Sequence, residues 1–424
     1  MIRRSVIAFM SVWTASGVGH AQTVLTWSEV RNQFQATSPM LQAGRIGIDE
    51  TKAAAITAFL RPNPQWAVAL DQIGNTEQGN VFSASTLSTS VSYLRERDRK
   101  RELRRESAAG ATTIATSTQA DLERTLLFTL RTAFVQVLQA KGFRAIAEEN
   151  LRNYDEVLRV SGDRFQTGDI ARMDLDRLQL QRVTFQSDVQ TADVNLRTAK
   201  IQLLRLLNDQ TTPVEQFDVA GPFDFAAPEP SLDDLRRIAF AQRPDLQAAE
   251  QAIEKARTDH RLAVANGSTD PTITVDAGFP SISQVYHSYQ PPLREFVGVG
   301  VTLPVRLFDR NQGEKRRTEL EIARSEKLLD AARLQVIADV DTAYAAVTSA
   351  VTLLQPYRTT YLDQAARVRD TVTFSYERGG ASLLDFLQAE QEYRSVRLGY
   401  VNLVAAYLNA AAQLNLAVGQ EIIQ

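Results

Sequence analysis

Four stretches of the chain alternate apolar with small or polar residues at a period of two. Trp66, Val68 and Leu70 alternate with Ala67, Ala69 and Asp71, and Leu87, Thr89, Val91 and Tyr93 with Ser88, Ser90 and Ser92. Ile273, Val275, Ala277 and Phe279 alternate with Thr272, Thr274, Asp276 and Gly278, and Val297, Val299, Val301 and Leu303 with Phe296, Gly298, Gly300 and Thr302. Such alternation predicts strands, over 64–74, 85–94, 271–280 and 295–305, each with one greasy face and one small or polar face. Two environments produce it: a half-buried soluble sheet, or a transmembrane β-barrel with lipid outside and water inside.

The rest of the chain is helical in period. Phe386, Ala389, Tyr393, Val396, Tyr400, Leu403, Tyr407, Ala410, Leu414 and Ala417 are spaced alternately by three and four, the heptad pattern of helices that supercoil left-handedly. The same register runs through Leu175, Leu178, Arg182, Phe185, Val189, Ala192, Leu196, Ala199, Leu203 and Leu206, with one charged interruption at Arg182. Long helices are expected over 98–162, 170–208, 310–373 and 381–418, and shorter ones over 27–60 and 231–266. A helix of some 64 residues would reach roughly 95 Å. Pro356 lacks an N–H donor and should kink the third long helix.

The chain is one plan written twice. Phe165–Asp174 (FQTGDIARMD) matches Tyr376–Asp385 (YERGGASLLD), with Gly168 and Gly379 separated by 211 positions. Thr132-Ala133-Phe134 matches Thr342-Ala343-Tyr344, and the PMLQA run at Pro39 matches PDLQA at Pro244. Each half, 22–210 and 231–424, reads as a helix, two strands and two long helices, which is a duplicated domain rather than a repeat array. Between them, prolines at 213, 222, 228 and 230 exclude a continuous helix, so 211–230 reads as an extended linker.

The first residues change how the strands are read. Arg3 and Arg4 precede an apolar run and Gly19-His20-Ala21, the layout of an export signal cut after Ala21. No later segment offers eighteen uninterrupted apolar residues, so no transmembrane helix is evident. Export, strand length and a polar inner face together favour the barrel. Four strands cannot close one, and an open sheet edge is not tolerated in lipid, so copies must pool their strands: two, three or four copies give eight, twelve or sixteen. A soluble periplasmic coiled-coil scaffold is the alternative from a different class.

Composition removes other chemistry. A formal charge of −3 argues against nucleic acid, and the absence of cysteine excludes disulfides, thiolate nucleophiles and a lipidated N-terminus. The histidines are His20, His260 and His287, without partners in metal-ligand spacing, so no metal site or cofactor is expected. No phosphate loop, nucleophile elbow or acid–base pair appears, and no enzymatic activity is expected.

Several positions stand out as candidates. Pro304 ends a strand, and Asp309 or Asn311 followed by Gly313 would cap the next helix, with Gln312 or Glu314 completing a capping box. These residues would join sheet to helix. Gly168, Gly379 and Gly380 lie between long helices, where a tight turn favours residues tolerant of positive φ. Asp174 and Asp385 follow those turns and are equivalent by the repeat. In a symmetric oligomer each becomes a ring of carboxylates able to select cations or gate an aperture, with Asp169 and Asp176 as weaker candidates. A solvated carboxylate favoured by the helix dipole is the bland reading of each. Seven basic residues between Arg95 and Arg105, interleaved with Glu96, Asp98 and Glu102, read first as a helix start with internal ion pairs, and second as a membrane-proximal belt.

The turns RFQTGDIARMDLDRLQLQ (164–181) and SYERGGASLLDFLQAEQEYRS (375–395), the strand–proline–helix joint at 297–317 and the paired SPMLQA and RPDLQA segments resemble the TolC family of outer-membrane efflux proteins. LPVRLFDRNQGE (303–314) is similar to the heavy-metal-efflux, cobalt–zinc–cadmium branch. The resemblance implies a mainly α fold with a small membrane β-barrel portion: a homotrimer with a twelve-strand barrel in the outer membrane and a twelve-helix α-barrel in the periplasm. It implies an exit duct for metal ions or drugs in a tripartite pump, with a periplasmic adaptor and an inner-membrane pump of the resistance–nodulation–division type. A channel for type I protein secretion shares the architecture. By the same resemblance Gly168, Gly379, Gly380 and Arg378 would be periplasmic tips that meet the adaptor. The first joint, VSYLRERDRKRELRRES (91–107), departs from the pattern in lacking glycine and proline.

Overall fold

A computed structural model describes residues 23–71, 86–280 and 295–423. The export signal, the strand ends at 72–74 and 85, and His287 lie outside the described residues. In chain order the elements are β1 (Thr23–Leu25), α1 (Trp27–Thr37), α2 (Pro39–Phe59), β2 (Gln65–Asp71), β3 (Thr86–Leu94), α3 (Lys100–Thr167), α4 (Arg172–Leu206) and β4 (Phe217–Val219). The second half has α5 (Leu232–Gln242), α6 (Pro244–Asn266), β5 (Thr272–Pro280), β6 (Phe296–Thr302), α7 (Gln312–Pro356), a π-turn (Tyr357–Tyr361), α8 (Leu362–Glu377) and α9 (Leu383–Val418).

Two helices expected as single are each two. The helix over 27–60 breaks at Ser38, and that over 231–266 breaks at Arg243, both residues extended (ψ 116° and 120°). The cause is the following proline, whose ring disfavours helical backbone in the residue before it. The helix over 310–373 is also interrupted. Pro356 supplies no N–H, and the chain answers with one wide turn in which the Leu362 N–H donates to the Tyr357 carbonyl. Tyr357 stacks on Tyr400 at 6.4 Å beside this turn, above a glycine, Gly399, that leaves room for its hydroxyl.

The sequence duplication does not mark the compact units. Among the described residues one unit comprises 23–38, 127–227 and 346–412, and the other 39–71, 86–126, 228–280, 295–345 and 413–423, so each is built from both halves. The long helices cause this, because α3 supplies residues to both units.

In the first unit the core is heptad packing. Phe386, Ala389 and Tyr393 of α9 are buried, as are Leu175, Leu178, Phe185, Ala192, Leu196, Ala199 and Leu203 of α4. Arg182 interrupts that stripe for a reason: its guanidinium meets Asp155 of α3 at 2.6 Å. Beyond Tyr400 the buried face of α9 widens to Val401, Val404, Ala405 and Leu408, as a straight helix drifts about 20° per heptad from a strict seam. Stretches of α9 and of the helix over 312–377 are long and apolar enough to cross a membrane by composition, although neither is an uninterrupted apolar run. In α9 the apolar residues are largely this packing stripe.

The linker is extended but anchored. β4 pairs in parallel with β1, Phe217 with Thr23 and Val219 with Leu25, and buries Phe217 and Val219. Lys141 reaches Asp218 at 2.7 Å and the Val219 carbonyl at 2.8 Å, while Lys200 donates to the Phe217 carbonyl at 2.6 Å. Burial pushes the Asp218 carboxyl up, but the Lys141 hydrogen bond and the two ammonium charges outweigh it and leave it below the ordinary range. Further on, Tyr407 exchanges hydrogen bonds with both backbone groups of Ala226.

The second unit carries a four-stranded antiparallel sheet ordered β2-β3-β5-β6. Its register aligns Trp66, Val91, Val275 and Val299 across all four strands, then Val68, Thr89, Ala277 and Val297, then Leu70, Leu87 and Phe279. Successive rows therefore put the apolar residues on one face. The opposite face is small and polar, with Ala67, Ser90, Asp276 and Gly298 in one row. There Gly278 accepts the Phe296 ring, which a Cβ would meet at 2.2 Å, and Gly298 lies under the Asp276 carboxylate. Aromatic cover of a sheet glycine is a recognised register device.

Candidate functional site

Among the described residues nothing covers the sheet's apolar face. Val297 and Val299 are 76% and 75% exposed, Trp66 is 74% exposed, and Val275 on an inner strand is 48% exposed. Water-soluble chains do not leave a contiguous surface of this kind bare. Both edges, β2 and β6, lack a partner strand among the described residues. Burial-driven folding and ladder hydrogen bonding are thus both left unfinished at the same element.

At the helix-proximal end of the sheet, the joint differs from its expected chemistry. Asn311 occupies the cap position, its carbonyl accepting from the Lys315 N–H at 3.0 Å, but its φ is +62° and its amide donates to the Ala263 carbonyl at 2.8 Å. Asp309 instead accepts from the Asn311 N–H at 2.8 Å, and Gln312 from the Arg310 N–H at 2.8 Å. No reciprocal capping box forms with Gln312 or Glu314, because the Asn311 side chain is spent on tying the joint to α6. Pro304 lies two residues past β6, its carbonyl accepting from Thr269 at 3.1 Å, and Gly313 opens α7 with open space where a Cβ would stand. The first joint makes the same left-handed entry without glycine, at Asp98 (φ 54°) and Arg99 (φ 55°).

The basic stretch is only partly an internally paired helix start. Lys100 is buried against Asp270 at 2.6 Å, Arg104 pairs with Glu96, and Arg101 and Arg105 stack over Phe59 at 4.2 and 4.5 Å. His260 touches Thr318 at 3.0 Å, an inter-helix contact.

The turns between the long helices, both in the first unit, repeat atom for atom. Gly168 N–H donates to the Phe165 carbonyl (3.1 Å) and Asp169 N–H to Arg164 (2.8 Å); Gly379 N–H donates to Tyr376 (3.0 Å) and Gly380 N–H to Ser375 (2.8 Å). This paired pattern is a Schellman motif, which places its C′ residue in left-handed backbone. Gly168 (φ +86°) and Gly379 (φ +78°) are those residues. Gly380 is not: its φ is not positive, so the demand for glycine falls on the first of the pair. Arg164 also donates to the Tyr376 carbonyl at 2.7 Å, so one hairpin's arginine caps the other hairpin's helix end. Nothing in the sequence signals that contact. Arg378 is exposed and lies over the Phe374 ring at 3.5 Å.

Beneath the turns Tyr154, Val157, Leu178, Phe185, Tyr376 and Phe386 form a buried cluster. Tyr376 stacks on Phe386 at 5.1 Å, and the Tyr154 hydroxyl donates to the Leu178 carbonyl at 3.1 Å. Burial pushes the Tyr154 hydroxyl well above the ordinary phenol range.

The four aspartates differ in what already holds them. Asp385 is the N3 partner of a capping box: its carboxylate accepts from the Ser382 hydroxyl (2.7 Å) and N–H (3.1 Å), and Ser382 Oγ accepts from the Asp385 N–H (3.2 Å). Those Ser382 hydrogen bonds hold its carboxyl below the usual carboxylate range. The S-x-x-D spacing was readable in the sequence. Asp174, its repeat equivalent, follows Ala171 where the second half has Ser382, and its carboxylate has no partner among the described residues. Asp169 accepts from Thr167 at 2.9 Å and Asp176 pairs with Arg172 at 3.0 Å.

Comparison with known proteins agrees with these features. Residues 235–420 match the family model of the outer membrane efflux protein. The chain is 25% identical over 306 residues to the pyoverdine export outer membrane protein OpmQ of Pseudomonas aeruginosa, covering 71% of this chain and 62% of that one, less than two thirds of its length. It is 22% identical over 381 residues to the cobalt-zinc-cadmium resistance protein CzcC of Cupriavidus metallidurans, covering 90% of this chain and 86% of that one. Its fold matches the transmembrane channel CusC with a TM-score of 0.74 at 18% identity, over 93% of this chain and 92% of that one. Residues 235–420 thus carry the sequence of an outer membrane efflux protein, and the chain as a whole shares the fold of solved outer-membrane channels of the TolC family.

Proposed function

We propose that this protein is the outer-membrane exit duct of a tripartite efflux pump, passively conducting substrates such as metal ions or drugs from periplasm to exterior. The observation that carries this reading is the sheet: among the described residues one face is apolar and bare, the other small and polar, and both edges are open. In lipid each open N–H and C=O costs several kcal/mol, so the edges must be paired. The strand order supports closure by copies. With four antiparallel strands per chain, β6 of one copy runs antiparallel to β2 of the next, and three copies give twelve strands. The helices α3, α4, α7–α8 and α9 of three copies would continue the pore as a twelve-helix tunnel in the periplasm. Gly168, Gly379, Gly380 and Arg378 would meet a periplasmic adaptor, itself bound to an inner-membrane pump of the resistance–nodulation–division type. The likeness to a cobalt-zinc-cadmium resistance protein supports metal ions as cargo.

Asp174 and Asp385 are the carboxylates we place at the aperture. Single-channel recording in planar bilayers tests both levels of the reading. The protein should give stepwise cation-preferring currents, and Asp174→Ala should lower cation preference more than Asp176→Ala, since Asp176 is already paired with Arg172. Currents with no cation preference would remove the carboxylates from the aperture. Absence of any conductance would remove the duct.

A further inference from the structure

The apolar alternation of β3 does not stop at its last ladder residue. Leu87, Thr89, Val91 and Tyr93 occupy the bare face, and the same parity continues into Arg95 and Arg97, both exposed, with the half-buried Glu96 between them. Both backbones are fixed: Arg95 N–H donates to the Pro271 carbonyl and Arg97 N–H to the Asp270 carboxylate, each at 2.9 Å. The side chains therefore leave an ordered ribbon at a set level. That level follows Trp66 and Tyr93 on the same face, so the face reads apolar, then aromatic, then basic. This is the order in which a membrane surface is crossed from hydrocarbon to headgroup.

Charge accounting points the same way. Glu96 is committed to Arg104, and Asp270 to Lys100 and the Arg97 N–H, which leaves Asp98 as the uncommitted acid in this stretch. Arg95 and Arg97 have no ion pair among the described residues. Arg61 before β2 and Arg310 after β6, exposed and equally without one, stand at the same end of the sheet.

We infer that Arg95 and Arg97 form a phosphate-binding belt that holds anionic glycerophospholipids of the periplasm-facing leaflet against the base of the sheet. This rests on the membrane reading above. Guanidinium forks suit phosphodiester oxygens, and neighbouring apolar side chains would receive the acyl chains.

Trp66 is a reporter on the same face. With Trp13 and Trp27 replaced by Phe it is the only tryptophan left, and its fluorescence in vesicles measures contact with brominated lipid. Brominated phosphatidylglycerol should quench Trp66 in preference to brominated phosphatidylcholine, by on the order of fivefold in relative affinity per arginine. The pair Arg95→Gln and Arg97→Gln should erase the preference while leaving quenching by phosphatidylcholine intact, and Arg95→Lys with Arg97→Lys should keep most of it. An exposed arginine of α5, Arg237→Gln, should change nothing. Equal quenching by the two lipids in the parent chain, or a preference that survives the Gln pair, overturns the belt. No quenching by either lipid overturns the membrane reading itself.

Discussion

Val275→Arg should prevent the protein from assembling in the membrane. Val275 lies mid-sheet, between Val91 and Val299 in one row, and its side chain is half exposed. On a water-facing surface such a change is worth within about 0.5 kcal/mol. Facing lipid, a cationic residue near the midplane costs about 2–4 kcal/mol, and it is repeated in every copy. The contrast is sharpened by Gly300→Ser on the opposite face, where a Cβ has nothing within 4 Å, which should be tolerated. Heat-modifiable oligomer bands on gels from membrane fractions read both: loss of oligomer for Val275→Arg, retention for Gly300→Ser. Retention in both would mean that the apolar face does not meet lipid.

Phe386→Ala should loosen the ends of the long helices. The ring is fully buried, stacked on Tyr376 and 6.4 Å from Tyr154, so it joins α9 to both α8 and α3. Removing a buried phenyl group costs about 3–5 kcal/mol, a large share of the stability of any one region. Hydrogen exchange should show its largest gain in the last turns of α3 and α8 and the first turns of α4 and α9, with the sheet unchanged. Uniform protection in the variant would show that the cluster does not hold the turns. The Gly379 N–H, which donates to the Tyr376 carbonyl that Arg164 also holds, should report the same opening.

Sheet and heptads were legible because each rests on periodicity, and periodicity is a local property. The two faces of β2, β3, β5 and β6 follow from the alternation, and the buried stripe of α4 from its spacing. Pro356 announced a disturbance, but not that a π-turn would absorb it, since that depends on Tyr400 and Gly399 across the interface. The breaks at Ser38 and Arg243 are marked in the sequence only by Pro39 and Pro244, set within strong helical pattern on both sides. At the site, Gly168 and Gly379 were legible as turn residues, while the different standing of Gly380 needed the actual φ. Arg164, Arg182 and the anchoring of β4 by Lys141 and Lys200 depend on partners distant in sequence, so no local signal could find them. Asp385 illustrates the middle case. Its capping spacing, Ser382-x-x-Asp385, lies in the sequence, and the absence of an equivalent serine at Ala171 is what separates it from Asp174.

The claim on which the account turns is that β2 of one copy pairs with β6 of another. The chain has no cysteine, so a pair introduced at Ala67 and scanned over 297–301 reports only itself. Within one chain β2 and β6 are separated by β3 and β5, about 14 Å at the usual strand spacing, which no disulfide spans. Oxidation in membranes should give covalent dimers and then a trimer, with no larger product and a maximum at one register. A chain that stays monomeric at every position, or a ladder that continues past three, would contradict it.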